Sequence, residues 1–382
     1  MGRSLLFLAF GNFAIASGVF VVPGVLAPLS QGLGMSVANA GQLLTVYAVA
    51  YAIGSPLLAA LTSHWDRRRL VMTGLAVFSA ANAVFALADG PGLAFAARIV
   101  AAFGAGVFTP TVTYVVATTS PPERRGRNLS IAFLGLSVAQ VVGIPAATYL
   151  GFAYGWRSAF FAVAALGGIG WLSLLLTMPK GIRGQRISGA AWRAIARDWR
   201  LLLAIAVTAL QFSGQFAAYT YIGPMLAAEN GLEADGITAV LFAFGASSIV
   251  GGLAGGWLSD RIGPYPAIMI ALVAMTAGLA LLTVGNGSLI VTVAALSLWA
   301  LFGFAYNTPQ QARLIGMAGQ GQTIVLAMNA SAVYIGTATG GLVGGLTTAA
   351  WGYGALGAAG AVLSALGVAA LWLSRPKASP VQ

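Results

Sequence analysis

Arg98 is the residue most able to do chemistry from inside an apolar stretch: from 93 to 107 every other residue is apolar. No other Lys or Arg, and no Asp or Glu, falls well inside an apolar segment. A guanidinium in hydrocarbon costs at least ~2.5–3.5 kcal/mol on insertion scales, so such a group is expected to face a bundle interior or a watery cavity. The bland alternative is an arginine near a helix end that snorkels to the interface. The eight acids, Asp66, Asp89, Glu123, Asp198, Glu229, Glu233, Asp235 and Asp260, all lie at segment ends or in loops. His64 is the single histidine and cysteine is absent. That inventory offers no thiol nucleophile, no metal-ligand cluster and no Gly-rich phosphate loop ending in Lys. A membrane-embedded enzyme or receptor, the alternative from a different class, and a primary pump therefore lack support, and no cofactor is expected.

Amides, hydroxyls and aromatic rings remain, and helical spacing gathers them into stripes. Arg98, Thr109 and Thr113 share one face of a fourth apolar segment. Gln211, Gln215 and Tyr219 recur every four residues in a seventh. Trp299, Gly303, Tyr306 and Gln310 follow a 4-3-4 pattern in a tenth, with Asn307 adjacent. Asn12, Gln42, Thr45, Gln140 and Asn329 supply further polar groups in the first, second, fifth and eleventh segments. Such a set suits a neutral polar or mildly amphipathic small molecule. The competing use is hydrogen bonding between helices, at ~0.6 kcal/mol each.

The elements that must carry these stripes are membrane spans. Only 7% of residues are charged and 59% are hydrophobic, with a mean hydropathy of +0.88. A soluble chain has about 25% charged residues, so a soluble fold is excluded. Twelve apolar segments are long enough to cross as helices: 5–29, 39–62, 70–88, 92–118, 128–150, 157–178, 201–227, 236–258, 266–284, 288–314, 322–346 and 353–374. The first is too long for a cleavable signal and is read as a retained span. Helices satisfy their own backbone in lipid, and these runs are too long for barrel strands.

All but two of the 19 Lys and Arg, namely Arg98 and Arg157, fall in the tails and in alternate loops. The positive-inside rule then puts both termini in the cytoplasm. The net charge of +11 reads as topology, not as a nucleic-acid patch, and the run Arg67, Arg68, Arg69 as an inner-leaflet anchor. The longest polar stretch, 179–200, is basic, and 191–200 has the pattern of an amphipathic helix on the inner leaflet. It separates a six-span bundle over 1–178 from a second over 201–382.

The halves also repeat. Gly256-x-x-x-Asp260-Arg261-x-Gly263 follows the eighth segment, and a related basic loop around Asp66 and Arg67 follows the second, about half a chain earlier. Gly256, Asp260, Arg261 and Gly263 match the loop motif G-x-x-x-D-R-x-G, and with this the whole chain resembles the major facilitator superfamily. The nearest branch is the bacterial drug/proton antiporters, including their sugar-efflux members. Arg98 before Gly104-x-Gly106, Gly143-Ile-Pro145, Gly155-Trp-Arg157 and 219–224 look like that branch too. In the first loop Ser63 stands where the aspartate should be, and Asp66 at the final glycine.

The resemblance implies an all-α membrane protein of two pseudo-symmetric six-helix bundles, with spans one, four, seven and ten around a cavity. It implies a secondary transporter of the bacterial inner membrane, exporting a drug-like or sugar-like solute by alternating access in exchange for protons. Asp66, Arg67, Gly143, Pro145 and the Gly256 loop would serve gating. Gly251, Gly255, Gly336, Gly340 and Gly344 are expected to let facing helices slide closely. An uncoupled facilitator or importer is the alternative. The expected partners are the solute, protons and the bilayer, with no nucleic acid and a monomeric state.

Overall fold

The computed structural model describes residues 2–62, 65–121, 124–182, 195, 197–285, 287–318 and 322–375. Among these residues the structure is all helix, and eleven helices are long and apolar enough to cross a membrane. The fifth crossing is made in pieces: Arg125–Val138, a π-helical stretch Ala139–Gly143, and Ile144–Ala153. The others are Gly2–Gly24, Val37–Leu61, Arg67–Ala86, Pro91–Thr119, Trp156–Thr177, Trp199–Tyr219, Ala234–Ile262, Pro264–Val284, Leu289–Ala305 with Asn307–Met317, Gln322–Trp351 and Leu356–Leu373. Large apolar side chains such as Leu176, Ile290 and Leu253 stand outward and exposed, as a lipid-facing surface requires.

Proline sets the breaks. It lacks the donor for the carbonyl four residues earlier and clashes with it. The first crossing stops at Gly24, four before Pro28, and resumes as Leu26–Gly32. The seventh breaks around Thr220, four before Pro224, and resumes as Ile222–Asn230. The tenth breaks after Ala305, four before Pro309. In the fifth, Val141 lies four before Pro145 and sits inside the π-helical stretch. Pro56 and Pro110 interrupt nothing.

The packing shows the repeat. In the first half the second span packs on the fourth, the fourth on the third, the third on the sixth, and the fifth and sixth on the first. Adding six to every number gives the packing of the second half. Between halves the second span packs on the eleventh and the fifth on the eighth, two pairs that exchange under the same operation. That is the pattern of parallel repeats about an axis along the membrane normal.

One face carries the starts of spans one and three and the ends of six, ten and twelve. There Ser4 Oγ donates to Thr177 O (2.7 Å), Arg67 N to Ile182 O (2.8 Å) and Arg313 Nη2 to Ser374 O (2.8 Å). We call it the terminal face and its opposite the far face.

The glycine stripes face backbone of neighbouring helices. A Cβ at Gly251 or Gly255 would overlap the carbonyls of Leu301 and Ala305, and one at Gly336, Gly340 or Gly344 those of Ala209, Ser213 and Ala217. Both stripes therefore join helices inside the second half, eighth to tenth and eleventh to seventh. Backbone-to-backbone approach maximises packing, and packing is what holds helices together in lipid.

The expected surface helix over 191–200 lies largely outside the described residues. Its last two residues, Trp199 and Arg200, open the seventh span because Asp198 caps it, accepting from Arg200 N and Leu201 N at 3.1 Å each. His64 and Glu123 also lie outside the described residues.

Candidate functional site

Arg98 is fully buried inside the first half. Its Nη1 donates to Gly18 O of the first span at 2.9 Å and its Nε to Leu43 O of the second at 3.5 Å. The guanidinium lies 4.4 Å from the Tyr47 ring centroid, and Nη2 has no hydrogen-bond partner. Total burial is the opposite of snorkelling. The charge is held by backbone carbonyls and a ring face, with no carboxylate near it.

A second polar centre sits in the other half. Thr208 Oγ1 donates to Asn329 Oδ1 at 2.6 Å and accepts from Gln310 Nε2 at 3.0 Å. Its remaining lone pair meets the Tyr306 hydroxyl at 2.9 Å, and since the Thr208 proton is committed to Asn329, Tyr306 is the donor. Gln310 Nε2 also donates to Ala204 O at 2.7 Å. One turn on, Gln211 Nε2 and Gln215 Nε2 both donate to Gly303 O, at 3.1 and 3.4 Å. Spans seven, ten and eleven are thus cross-linked by the amides expected to bind a solute. The Oε1 atoms of Gln211 and Gln310 and the Trp299 Nε1 remain buried without a partner.

The first half has a related centre. Asn12 Nδ2 donates to Ala132 O of the fifth span at 2.8 Å, and Thr109 Oγ1 of the fourth donates to Asn12 Oδ1 at 3.3 Å. Spans one, four and five here correspond to seven, ten and eleven there. Thr113 bonds back to Thr109 O in its own helix. Gln42, Thr45, Thr109, Thr113 and Asn307 keep partial exposure, whereas Asn12, Gln211, Gln215, Trp299, Tyr306, Gln310 and Asn329 are buried. The Gln140 side chain is outside the described residues.

Rings join the halves where polar groups do not. Phe20 of the first span stacks on Phe216 and meets Tyr219 edge-on, each at 6.2 Å. Tyr219 continues to Phe244 (5.3 Å) and Trp299 (6.4 Å). Tyr51 of the second span stacks on Tyr334 of the eleventh at 3.6 Å. At the far face Gln42 Nε2 donates to the Tyr221 hydroxyl at 3.3 Å, and that hydroxyl donates to Gly341 O at 3.1 Å. A Cβ on Gly223 would come within 2.9 Å of Pro23 O.

Of these groups, the sequence pattern alone does not single out Thr208, Phe20, Tyr51, Tyr334 or the sealing role of Tyr221. Thr208 is within its reach, being three residues before Gln211 on the same helical face. The others become visible only when the two halves are docked.

The loop motifs divide. Gly263 has φ +86°, a backbone region that favours glycine, and joins the eighth span directly to the ninth. Gly256 packs loosely, with the Thr308 methyl 3.8 Å from where a Cβ would stand. Arg261 lies 4.4 Å over Trp257 of its own helix, and Asp260 is exposed. In the first half Asp66 Oδ1 caps the third span by accepting from Arg69 N (3.1 Å), while Oδ2 accepts from Gly181 N (3.0 Å). Arg67 lies 4.8 Å over Tyr114, joining the start of span three to the end of span four. The second half repeats that join with the partners exchanged, Arg313 at the end of span ten lying 5.5 Å over Tyr265 at the start of span nine. Gly143 faces Ser17 and Phe13 of the first span, with Pro145 two residues beyond. Among the described residues the one ion pair is Arg157 with Asp89, at 3.1 Å, and no group of His or acids could hold a metal.

Known proteins fit this geometry. The model of the Major Facilitator Superfamily matches residues 8–323 and 222–382. The chain is 30% identical over 376 residues to the inner membrane transport protein YdhP of Escherichia coli (strain K12), covering 98% of this chain and 96% of that one. It is 31% identical over 358 residues to the chloramphenicol resistance protein of Streptomyces lividans, covering 91% and 89%. In fold it is similar to the D-xylose-proton symporter, with a TM-score of 0.81 at 14% identity over 98% of each chain. This chain belongs to the Major Facilitator Superfamily and is a multi-pass membrane transporter of a small organic solute, not an enzyme.

Proposed function

We propose that the protein exports a drug-like or sugar-like solute from the cytoplasm, by alternating access and in exchange for protons. The observation that carries the reading is the far-face seal made by Gln42, Tyr221 and Gly341 across the two halves. The eighth span meets the fifth mainly along Ala139–Gly143 and Ile144–Ala153, its far-face part, which supports access from the terminal face. Among the described residues Arg67, Arg68, Arg69, Arg313 and Arg375 lie at helix ends on that face, and by the positive-inside rule we read it as cytoplasmic, in a bacterial inner membrane. The ring cluster of Phe20, Phe216 and Tyr219 and the half-buried hydroxyls of Thr109 and Thr113 are the groups we assign to an uncharged solute with an apolar body. A relative named for chloramphenicol resistance supports a small organic compound as cargo.

One observation favours an uncoupled facilitator as the second reading: every acid among the described residues sits at a helix end or in a loop. Asp66 is committed to two backbone amides, and Asp89 pairs with Arg157. Proteoliposomes containing a pH dye decide between them. Solute efflux that acidifies the lumen in proportion supports exchange, whereas solute flux with a flat dye signal leaves the facilitator.

A further inference from the structure

A groove of about 650 Å³ lies at the terminal face between the third and sixth spans, lined by residues of the first half alone. We propose that this groove holds the headgroup of an anionic phospholipid. The inference rests on the membrane-spanning reading but not on transport direction or coupling.

The lining is built for a phosphate at the interface. Arg68, Arg69 and Thr73 come from the first turns of the third span, Trp65 from just before it, and Trp171 and Leu175 from the sixth. Arg67, beside them in sequence, turns inward over Tyr114, so the run of three divides into one structural and two groove-facing cations. Arg68 Nη2 donates to Leu175 O at 2.6 Å, which fixes the guanidinium in place, while its Nε is buried without a partner. Asp66 is the one acid in the lining, and its two oxygens are taken by Arg69 N and Gly181 N, leaving both guanidinium groups without a carboxylate among the described residues. A lipid phosphate supplies what the cluster lacks, through charge-assisted bonds.

Depth and shape separate a lipid from a soluble anion. These residues sit within a turn or two of the helix ends, where headgroups lie, and tryptophan favours that layer because its ring is apolar and its N–H polar. Helical spacing continues the groove outward through Met72 and Ala76 on one wall and Gly168 on the other. At Gly168 no atom lies within 4 Å of where a Cβ would stand. The small residues Ala76 and Gly168, placed beyond the basic mouth by helical spacing, leave room for an acyl chain below a phosphate.

The test uses the full-length protein in phosphatidylcholine vesicles carrying an equal fraction of either brominated phosphatidylglycerol or brominated phosphatidylcholine. The readout is the part of tryptophan quenching that Trp171→Phe removes. A cation near an anionic surface is worth about 1 kcal/mol, or roughly five-fold each, so the glycerol lipid should be enriched about ten-fold or more at the site. Arg69→Gln should lower that enrichment roughly five-fold, while Arg261→Gln, in the matching loop of the other half, should leave it unchanged. Because Arg68 also anchors Leu175, Arg69→Gln is the deciding variant. Equal quenching by both lipids, or an excess that survives Arg69→Gln, overturns the proposal. Loss of the excess to millimolar inorganic phosphate overturns it as well, by making this a site for a soluble anion.

Discussion

Gln42 and Tyr221 are separated by 179 positions in sequence, yet the amide of one donates to the hydroxyl of the other at 3.3 Å, from opposite halves of the molecule. The same hydroxyl then donates to Gly341 O, so one oxygen ties together spans two, seven and eleven. Tyr221→Phe keeps the ring and removes that oxygen. A neutral hydrogen bond nets about 1 kcal/mol, so the far face should open several-fold more often. The chain has no cysteine, which makes Thr45→Cys, one turn below the seal, a clean reporter. Its labelling by an impermeant maleimide from the far face should quicken about five-fold in Tyr221→Phe. An unchanged rate would remove this contact from the gate.

Arg98 should separate stability from transport. Its guanidinium is buried with no anion, and desolvating a charge costs several kcal/mol that two carbonyls offset only in part. Arg98→Met fills similar volume without the charge, so the melting temperature should hold or rise while solute flux falls about ten-fold or more. A fall in both together would make Arg98 a structural rivet and nothing else. Arg98→Lys should not rescue flux, since one ammonium cannot reproduce the planar fork that reaches Gly18 and Leu43.

Thr208 should matter more to stability than Thr113. Losing the Thr208 hydroxyl takes this partner from Asn329 Oδ1 and the Tyr306 hydroxyl and leaves Gln310 Nε2 with Ala204 O alone, and each buried group left unpaired costs about 1–3 kcal/mol. Thr208→Val should therefore lower the melting temperature clearly. Thr113→Val, which loses only a bond to its own helix, should change it by a degree or two at most. Equal effects would show that the network is not cooperative.

Gly251→Ala and Gly256→Ala sit on the same helix with opposite expectations. A methyl at Gly251 meets the Leu301 carbonyl and should cost about 1–3 kcal/mol by overpacking, read as a lower melting temperature. At Gly256 the only neighbour within reach is a methyl at 3.8 Å, and the alanine should be nearly neutral.

Asp66→Ala should loosen the first loop. It removes the cap of the third span and the tie to Gly181, and a lost cap alone costs about 0.5–2 kcal/mol. Limited proteolysis near 181 should quicken in the variant, whereas Asp260→Ala, at an exposed carboxylate, should leave its own loop as resistant as before.

Much of the fold was legible in the sequence because lipid leaves a chain few options. Apolar length fixed the crossings, and Gly256 to Gly263 fixed the internal repeat. The site was less legible. Helical spacing put Gln211 and Gln215 on one face of the seventh span and Gln310 on one face of the tenth, but could not say whether their amides face a solute or one another's helices, and the structure turns their donors to Gly303 O and Ala204 O. Arg98 stood out by its cost, yet its partners are backbone carbonyls, which every residue carries and no pattern marks. Phe20 and Tyr334 gained meaning only from the docking of two halves, a relation between positions hundreds of residues apart. The glycine stripes were visible as faces for close approach, but spacing shows which residues share a face and not which helix that face meets.

Those stripes have a mechanical consequence. Carbonyl oxygens already occupy the places where methyl groups would stand along Gly251 and Gly255 and along Gly336, Gly340 and Gly344, so the second half cannot yield by shearing internally. Torque applied at one surface must then reach the other undiminished, as in pliers whose jaws part only when the handles meet. Where Phe20 rests on Phe216 and Tyr219 the halves meet ring against ring, a contact with no direction-demanding bond to break.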